Sequence, residues 1–212
     1  MNNKIWLDLY GHRIASRTIK KQKWLAGFIK PHHRFFLELF SATGENAGII
    51  KKLNPDLYCI GIDYSFELCK RGKESGYVSI NADCKYLPLK KDVFDIVYCN
   101  SFHHVAIDVV KVLEDSVALL KKGGLLIGVE PYGRLSKILV NIICLMPNFL
   151  ISLFPQNFRF YVSAIKYECR NEGVMDWYKG FVQRDFNRAL NEYDVLLIRR
   201  DALRVYYCIK RN

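Results

Sequence analysis

Glu38, Asp63, Asp83 and Asn100 each stand at or near the end of a short apolar run, and no two of them share a run. A carboxylate that closes one strand can accept two hydrogen bonds from a ribose diol, and one that closes the next can accept a hydrogen bond from an adenine amine. Asp63, and Asp83 with Cys84, therefore describe an adenosine pocket. Any single acid of this kind is equally well explained as a helix cap or an exposed turn; it is the ordered set that argues for a site. His103 and His104 follow Asn100, and an imidazole with a pKa of about 6.5 can take a proton from an attacking hydroxyl. Capping or packing accounts for them as well, since group transfer can run on proximity and alignment alone. Glu130 ends a later run before Pro131-Tyr132-Gly133, where it either lines the same cleft or opens a helix.

Such residues need strands that end on one edge of a sheet, and the sequence supplies them. Strands are predicted over 34–40, 57–62, 77–82, 93–99 and 125–129, each an apolar run closed by a turn signal. Between them lie helical patterns. One runs from Asn46 to the Asn54-Pro55 stop, and one starts at Ser65, a good N-cap, and ends at Gly72 or Gly76. A third covers 106–122, with Lys121, Lys122 and Gly123 as cationic last turn and cap. Alternation of this kind predicts a parallel sheet with crossover helices. The tail changes character: a helix over 181–190 precedes strands over 195–198 and 205–209, joined through Arg199-Arg200-Asp201 as a hairpin.

Length and composition fit one domain. The chain has 212 residues, half of them apolar, which suits a single sizeable core and leaves little room for two. The expected division is a basic helical segment over 1–33, a binding core over 34–131, an apolar insert over 132–180, and a helix with hairpin over 181–212. Seven cysteines without a CxxC pair suggest neither a disulfide framework nor a zinc site. Reduced thiols and a polar N-terminus point to a cytoplasmic protein.

In this order the residues resemble the class I S-adenosylmethionine-dependent methyltransferases, particularly their small-molecule group, over residues 34–131 and the hairpin. The resemblance implies a Rossmann-like α/β fold: a seven-stranded, mostly parallel sheet with a C-terminal antiparallel hairpin and helices on both faces. It implies S-adenosylmethionine as cofactor and methyl transfer as activity. Glu38 would begin the glycine-rich motif and Gly44 would be its last glycine; Asp63 would hold the ribose hydroxyls, and Asp83 with the Cys84 backbone the adenine. Phe94-Asp95-Ile96-Val97-Tyr98-Cys99-Asn100 matches the fourth strand, placing Asn100 where the methionine end meets the substrate, with His104 the candidate base beyond it. Lys122-Gly123-Gly124-Leu125-Leu126 matches the turn into the fifth strand, and Tyr10 in Tyr10-Gly11-His12-Arg13-Ile14-Ala15 resembles the helix that covers the cofactor. The chain departs from the pattern at Phe40 and Ala42, where the family has glycine to allow positive φ and close backbone approach. The Phe40 ring has three places to go: into the core, onto the ligand, or into the pocket.

The partner is read from charge and apolarity. The net charge of +11 favours anionic partners, and no acid lies between Asp8 and Glu38, an interval rich in Lys and Arg. From Ile138 to Phe158 there is no charge at all, but Asn141, Pro147 and Asn148 interrupt the run, so a membrane span is rejected in favour of a lid or surface helices. Together these predict a small-molecule or lipid-linked acceptor, with peripheral membrane contact through 12–34 and 138–158. Nucleic acid is the weaker alternative, because no appended RNA-binding module is visible. The competing reading is a non-catalytic member of the fold that binds a partner or a membrane. A dinucleotide-dependent dehydrogenase is poorer, because Ser41-Ala42-Thr43-Gly44 lacks the GxGxxG spacing.

Overall fold

The computed structural model describes residues 24–74, 77–84, 86–100, 109–131, 134–155, 159, 162, 190–200 and 204–212. Tyr10, residues 12–23 of the basic segment, His103, His104 and residues 181–189 lie outside them. The described elements are β1 (Phe35–Leu39), α1 (Glu45–Leu53), β2 (Tyr58–Asp63), α2 (Phe66–Glu74), β3 (Val78–Asn81), β4 (Phe94–Asn100), α3 (Val109–Leu119), β5 (Leu120–Pro131), α4 (Arg134–Leu145), α5 (Asn148–Ile151), β6 (Asp194–Arg200) and β7 (Arg204–Lys210). The strands form one sheet in the order β3-β2-β1-β4-β5-β7-β6. The first five are parallel where they pair, while β7 runs antiparallel to both β5 and β6.

Period-two alternation builds two cores, one on each face. Leu37, Leu39, Val97, Cys99, Val205, Tyr207 and Ile209 point to the face covered by Val112 and Leu113 of α3. Phe36, Ile96, Tyr98, Tyr206 and Cys208 point to the other, covered by Ala47 and Ile50 of α1 and by Leu25. Trp24 packs edge-on against Tyr206 at 5.4 Å and against Phe28 at 5.1 Å. The described end of the basic segment therefore packs its apolar side on the domain, and its helical residues 24–26 stop at a turn rather than continuing to 33.

Two expectations are corrected and one choice is narrowed. Phe40 lies beyond β1 in a turn, because its backbone has turned to φ 57°. Of the two glycines offered as the stop of α2, Gly72 sits inside the helix with the Tyr77 ring in the space a side chain there would need, while Gly76 lies outside the described residues. Lys121 and Lys122 belong to β5, not to a helix end. The Lys121 ammonium reaches Asp95 Oδ1 at 2.8 Å, Gly123 bends the strand at φ 77°, and a Cβ at Gly124 would lie 2.9 Å from the Lys121 carbonyl. That close approach produces an irregular register between Phe94 and Ile96, so a Lys-Lys-Gly-Gly stretch that looks like a helix cap is a bulged strand start. Asp95 also accepts the amides of Arg34 and Phe35, both at 2.8 Å, and so ties the starts of β1, β4 and β5 together at the end remote from the strand carboxyl ends.

Candidate functional site

Strand order reverses between β1 and β4, and ligands of open α/β sheets lie outside the strand carboxyl ends at such a switch point. The chain leaves β1 there through three positive-φ residues at alternate positions: Phe40 at 57°, Ala42 at 49° and Gly44 at 71°. These are the motif positions at which glycine was expected, so the backbone keeps the glycine conformation after two of the glycines have gone. The left-handed region costs a non-glycine residue about 1–2 kcal/mol, and such strain persists only where the surroundings over-determine it.

Here they do. The Ser41 amide donates to the Ile62 carbonyl at 2.9 Å, the Ala42 amide to Asp63 Oδ2 at 2.8 Å, and the Gly44 amide to the Ser41 carbonyl at 2.8 Å. The Phe40 amide donates to the Cys84 thiol, whose pKa burial pushes up to about 12. Of the three courses open to the Phe40 ring, the structure takes the first: half-buried, it packs against the core cluster that holds Leu39, Ile62 and Cys84.

Asp63 closes β2 and serves two masters. Its Oδ1 accepts the Ser65 amide at 2.9 Å while Oδ2 holds the loop amide of Ala42. Burial raises its pKa, and both amide bonds oppose the rise. A carboxylate has about four lone-pair directions, so two remain for hydroxyl donors. Ser65 accepts the Leu68 amide at 3.4 Å, the N-cap geometry expected for α2. Asp83 follows β3 and accepts the Tyr86 amide on its carbonyl at 2.9 Å, while the Ala82 amide reaches the Asp63 carbonyl at 3.1 Å. Asn81 fastens β3 to the same turn, donating to the carbonyls of Asp63 and Tyr64 at 3.1 and 2.8 Å.

Glu38 is fully buried below the loop. Its Oε1 accepts the Asn46 amide group at 2.6 Å and its Oε2 the Ala47 backbone amide at 3.1 Å. Gly44, the N-cap of α1, has no side chain to do this, so Glu38 caps the helix from the neighbouring strand. Burial raises its carboxyl to about 8 against the pull of those two hydrogen bonds, and near neutrality it is largely protonated. Asn100 ends β4 in register with Val129 of β5. Glu130 is fully buried in β5 opposite Val205 of β7, which makes it part of the sheet interior rather than a helix start. The turn at the carboxyl ends of β1, β2 and β3 thus brings together Phe40, Ala42, Gly44, Asp63 and Cys84, with Asp83 adjoining.

Sequence reasoning missed two features. Tyr77 lies under the loop with its ring against Gly44, Gly61 and Gly72: a Cβ added at Gly44 would sit 1.7 Å from its Cζ, one at Gly61 2.5 Å from Cε2, and one at Gly72 2.4 Å from its hydroxyl. Its hydroxyl lies beside those of Ser41 and Ser79, and burial raises its pKa to about 12. The spacing of glycines 44, 61 and 72 ahead of a lone aromatic was the available signal. The second is a set of exposed rings around the two acids, Tyr64 at 78%, Phe66 at 65% and Tyr86 at 79% exposure. Large aromatics left in water next to an acid at a strand end are candidate stacking platforms.

Residues 37–128 match the family model for a methyltransferase domain. The fold is that of the class I S-adenosylmethionine-dependent methyltransferases. The YcgJ protein of Bacillus subtilis matches with a TM-score of 0.58 at 16% identity, over 92% of this chain and 99% of its own. The PH0226 protein of Pyrococcus horikoshii matches with a TM-score of 0.65 at 12% identity, over 93% of each chain. Geranyl diphosphate C-methyltransferase of Streptomyces coelicolor, solved with Mg2+, geranyl diphosphate and S-adenosyl-L-homocysteine, matches with a TM-score of 0.63 at 9% identity, over 92% of this chain and 77% of its own. None of the curated proteins matches the sequence. At these identities the likeness is one of fold.

Proposed function

We propose that the chain is an S-adenosylmethionine-dependent methyltransferase whose acceptor is a small or lipid-linked molecule. The observation that carries this reading is the loop after β1, which keeps three alternating positive-φ residues and is pinned to the acid that ends β2. Hydrogen bonds and core packing hold Phe40 and Ala42 in a conformation that each disfavours, so the turn keeps the shape that glycines would give it at the place where a cofactor would meet it.

The residues present fit the cofactor. Asp63 offers its two remaining lone-pair directions to the ribose diol, Asp83 with the Cys84 backbone receives the adenine amine, and Tyr64 supplies a flat exposed face beside them. Largely uncharged at neutral pH and fixed to Asn46 and Ala47, Glu38 sets the angle at which α1 leaves the loop. When bound, S-adenosylmethionine supplies a methyl group made electrophilic by its sulfonium. Asn100 and His104 are assigned to the acceptor end, His104 as the group that removes the acceptor proton. The chain's part is alignment and exclusion of water.

An apolar acceptor accords with the charge-free run 138–158, and a cytoplasmic location with peripheral membrane contact through 12–34 and 138–158 belongs to the same reading. No described helix is long and apolar enough to cross a membrane. The geranyl diphosphate enzyme shows that this fold accommodates an apolar acceptor with an anionic head. Calorimetric titration with S-adenosylmethionine tests the cofactor assignment, with Asp63→Ala as control. Micromolar binding that the variant loses is the expected result. No binding to the unaltered protein, restored by Phe40→Gly, would instead favour a non-catalytic, partner-binding role.

A further inference from the structure

Away from the cofactor turn, α4 and α5 carry the most exposed apolar side chains of the described structure that are not aromatics beside the site. Ile138, Ile142 and Leu145 lie along one stripe of α4, and Phe149 and Leu153 continue beyond it, with Leu145 84%, Phe149 70% and Leu153 76% exposed. Ile143 and Ile151 of the same two helices are buried. The helices are therefore seated on the domain by one side while the opposite side is left apolar and open, the reverse of an ordinary surface helix.

Charge indicates what covers this side. From Pro131 to Tyr167 the sequence contains no acid, whereas Arg134 and Lys137 precede the apolar stripe and an exposed Arg159 follows it. A second copy of the chain is a poor occupant, because a two-fold contact sets the same segment against itself, and this segment has cations but no acid to answer them. An anionic lipid surface answers both halves of the patch: apolar side chains enter the acyl boundary and cations meet the phosphates. The twelve residues of α4 are too few to span a bilayer, so the geometry is one of lying on the surface.

We propose that the α4–α5 face is a docking surface for an anionic lipid bilayer. It rests on the proposed methyl transfer for its purpose, since α4 begins just after β5 ends and so adjoins the strand carboxyl ends where an acceptor leaving the bilayer would be received. The docking itself does not depend on catalysis.

The test is co-flotation of the full chain with mixed phosphatidylcholine–phosphatidylglycerol vesicles, compared with pure phosphatidylcholine vesicles and with the Leu145→Glu/Phe149→Glu variant. Both side chains are exposed, so the variant leaves the fold intact, which circular dichroism and an unchanged S-adenosylmethionine titration check. Expected is binding to the anionic vesicles that weakens at least about tenfold in the variant and at high salt. Equal binding of the unaltered and variant chains, or none by either, overturns the proposal. So does a dimer in solution that the double substitution dissociates, because a second copy would then be the occupant. Vesicle binding without cofactor binding would sink the methyltransferase reading and leave the docking surface standing.

Discussion

Replacing Gly44 by alanine adds one methyl group at the point where the loop, α1 and Tyr77 meet. Two costs follow. Its φ of 71° lies in the left-handed region, where an L side chain costs about 1–2 kcal/mol. The new Cβ would also fall 1.7 Å from Tyr77 Cζ and 1.8 Å from Cε1, closer than any tolerable contact, so either the loop or the ring must leave its place. Expelling a buried aromatic costs on the order of 3–5 kcal/mol, which places the whole substitution at about 4–7 kcal/mol, much of the stability of an ordinary domain. A double-mutant cycle separates the terms. In a Tyr77→Ala background the clash is gone and only the backbone cost of about 1–2 kcal/mol should remain, giving a coupling of about 3–5 kcal/mol. Urea unfolding of the four proteins measures it. If Gly44→Ala costs the same in both backgrounds, Tyr77 does not wedge the loop and the argument fails.

Ala42→Gly should stabilise by about 0.5 kcal/mol, since relief of left-handed strain slightly exceeds the added entropy of the unfolded chain; a lower melting temperature would contradict the φ of 49°. Glu38 has a folded pKa of about 8, above its unfolded value, so the unfolded chain releases the proton first and stability should fall as pH rises from about 4 to 8, then level off. In Glu38→Gln that slope should flatten, and urea midpoints taken across this range would reveal a slope left unchanged. Asp95 behaves in the opposite sense. Burial alone would raise its pKa, but the hydrogen bond from Lys121 and the amides of Arg34 and Phe35 outweigh it, so its contribution is present at neutral pH and is lost as the pH falls below the ordinary carboxylate range. Asp95→Asn should therefore unfold more easily at pH 7 and lose less on acidification, and an unaltered acid limb would count against the role given to Lys121.

The elements that sequence patterning located well are those whose apolar runs are bounded by a residue with one backbone meaning. Asn54 follows α1 and accepts the Asp56 amide on its side chain, Ser65 caps α2, and Asp63 closes β2, each through a local hydrogen bond that the residue type itself implies. The misreadings came where a distant partner decided. Lys121-Lys122-Gly123 has the composition of a helix end, yet Asp95, twenty-six positions away, draws Lys121 into the sheet. Of the two glycines read as stops for α2, Gly72 lies inside the helix, where its missing side chain admits Tyr77. Asp63 and Asp83 were legible as a pair because a strand end needs only local sequence to be recognised. That Glu38 caps α1 was not, since nothing within a turn of Glu38 points to Asn46 and Ala47.

The same distinction bears on the loop after β1. Judged by residue type, Phe40 and Ala42 break the glycine motif, and a pattern that counts glycines scores the site as lost. Judged by backbone, nothing is lost: the glycines are a means of reaching positive φ cheaply, and the chain reaches it anyway with amides held by Ile62, Asp63 and Cys84. The strain of two left-handed L residues, about 2–4 kcal/mol together, is a sizeable share of a domain's net stability. Glycine at either place would remove that strain at a smaller entropic cost, so what Phe40 adds must come from its ring. That ring is half-buried against the core cluster that includes Leu39 and Cys84, and extends the core beneath the turn. The loop is thus held by packing from Phe40 on one side and Tyr77 on the other, and a cofactor meeting it finds its shape already set.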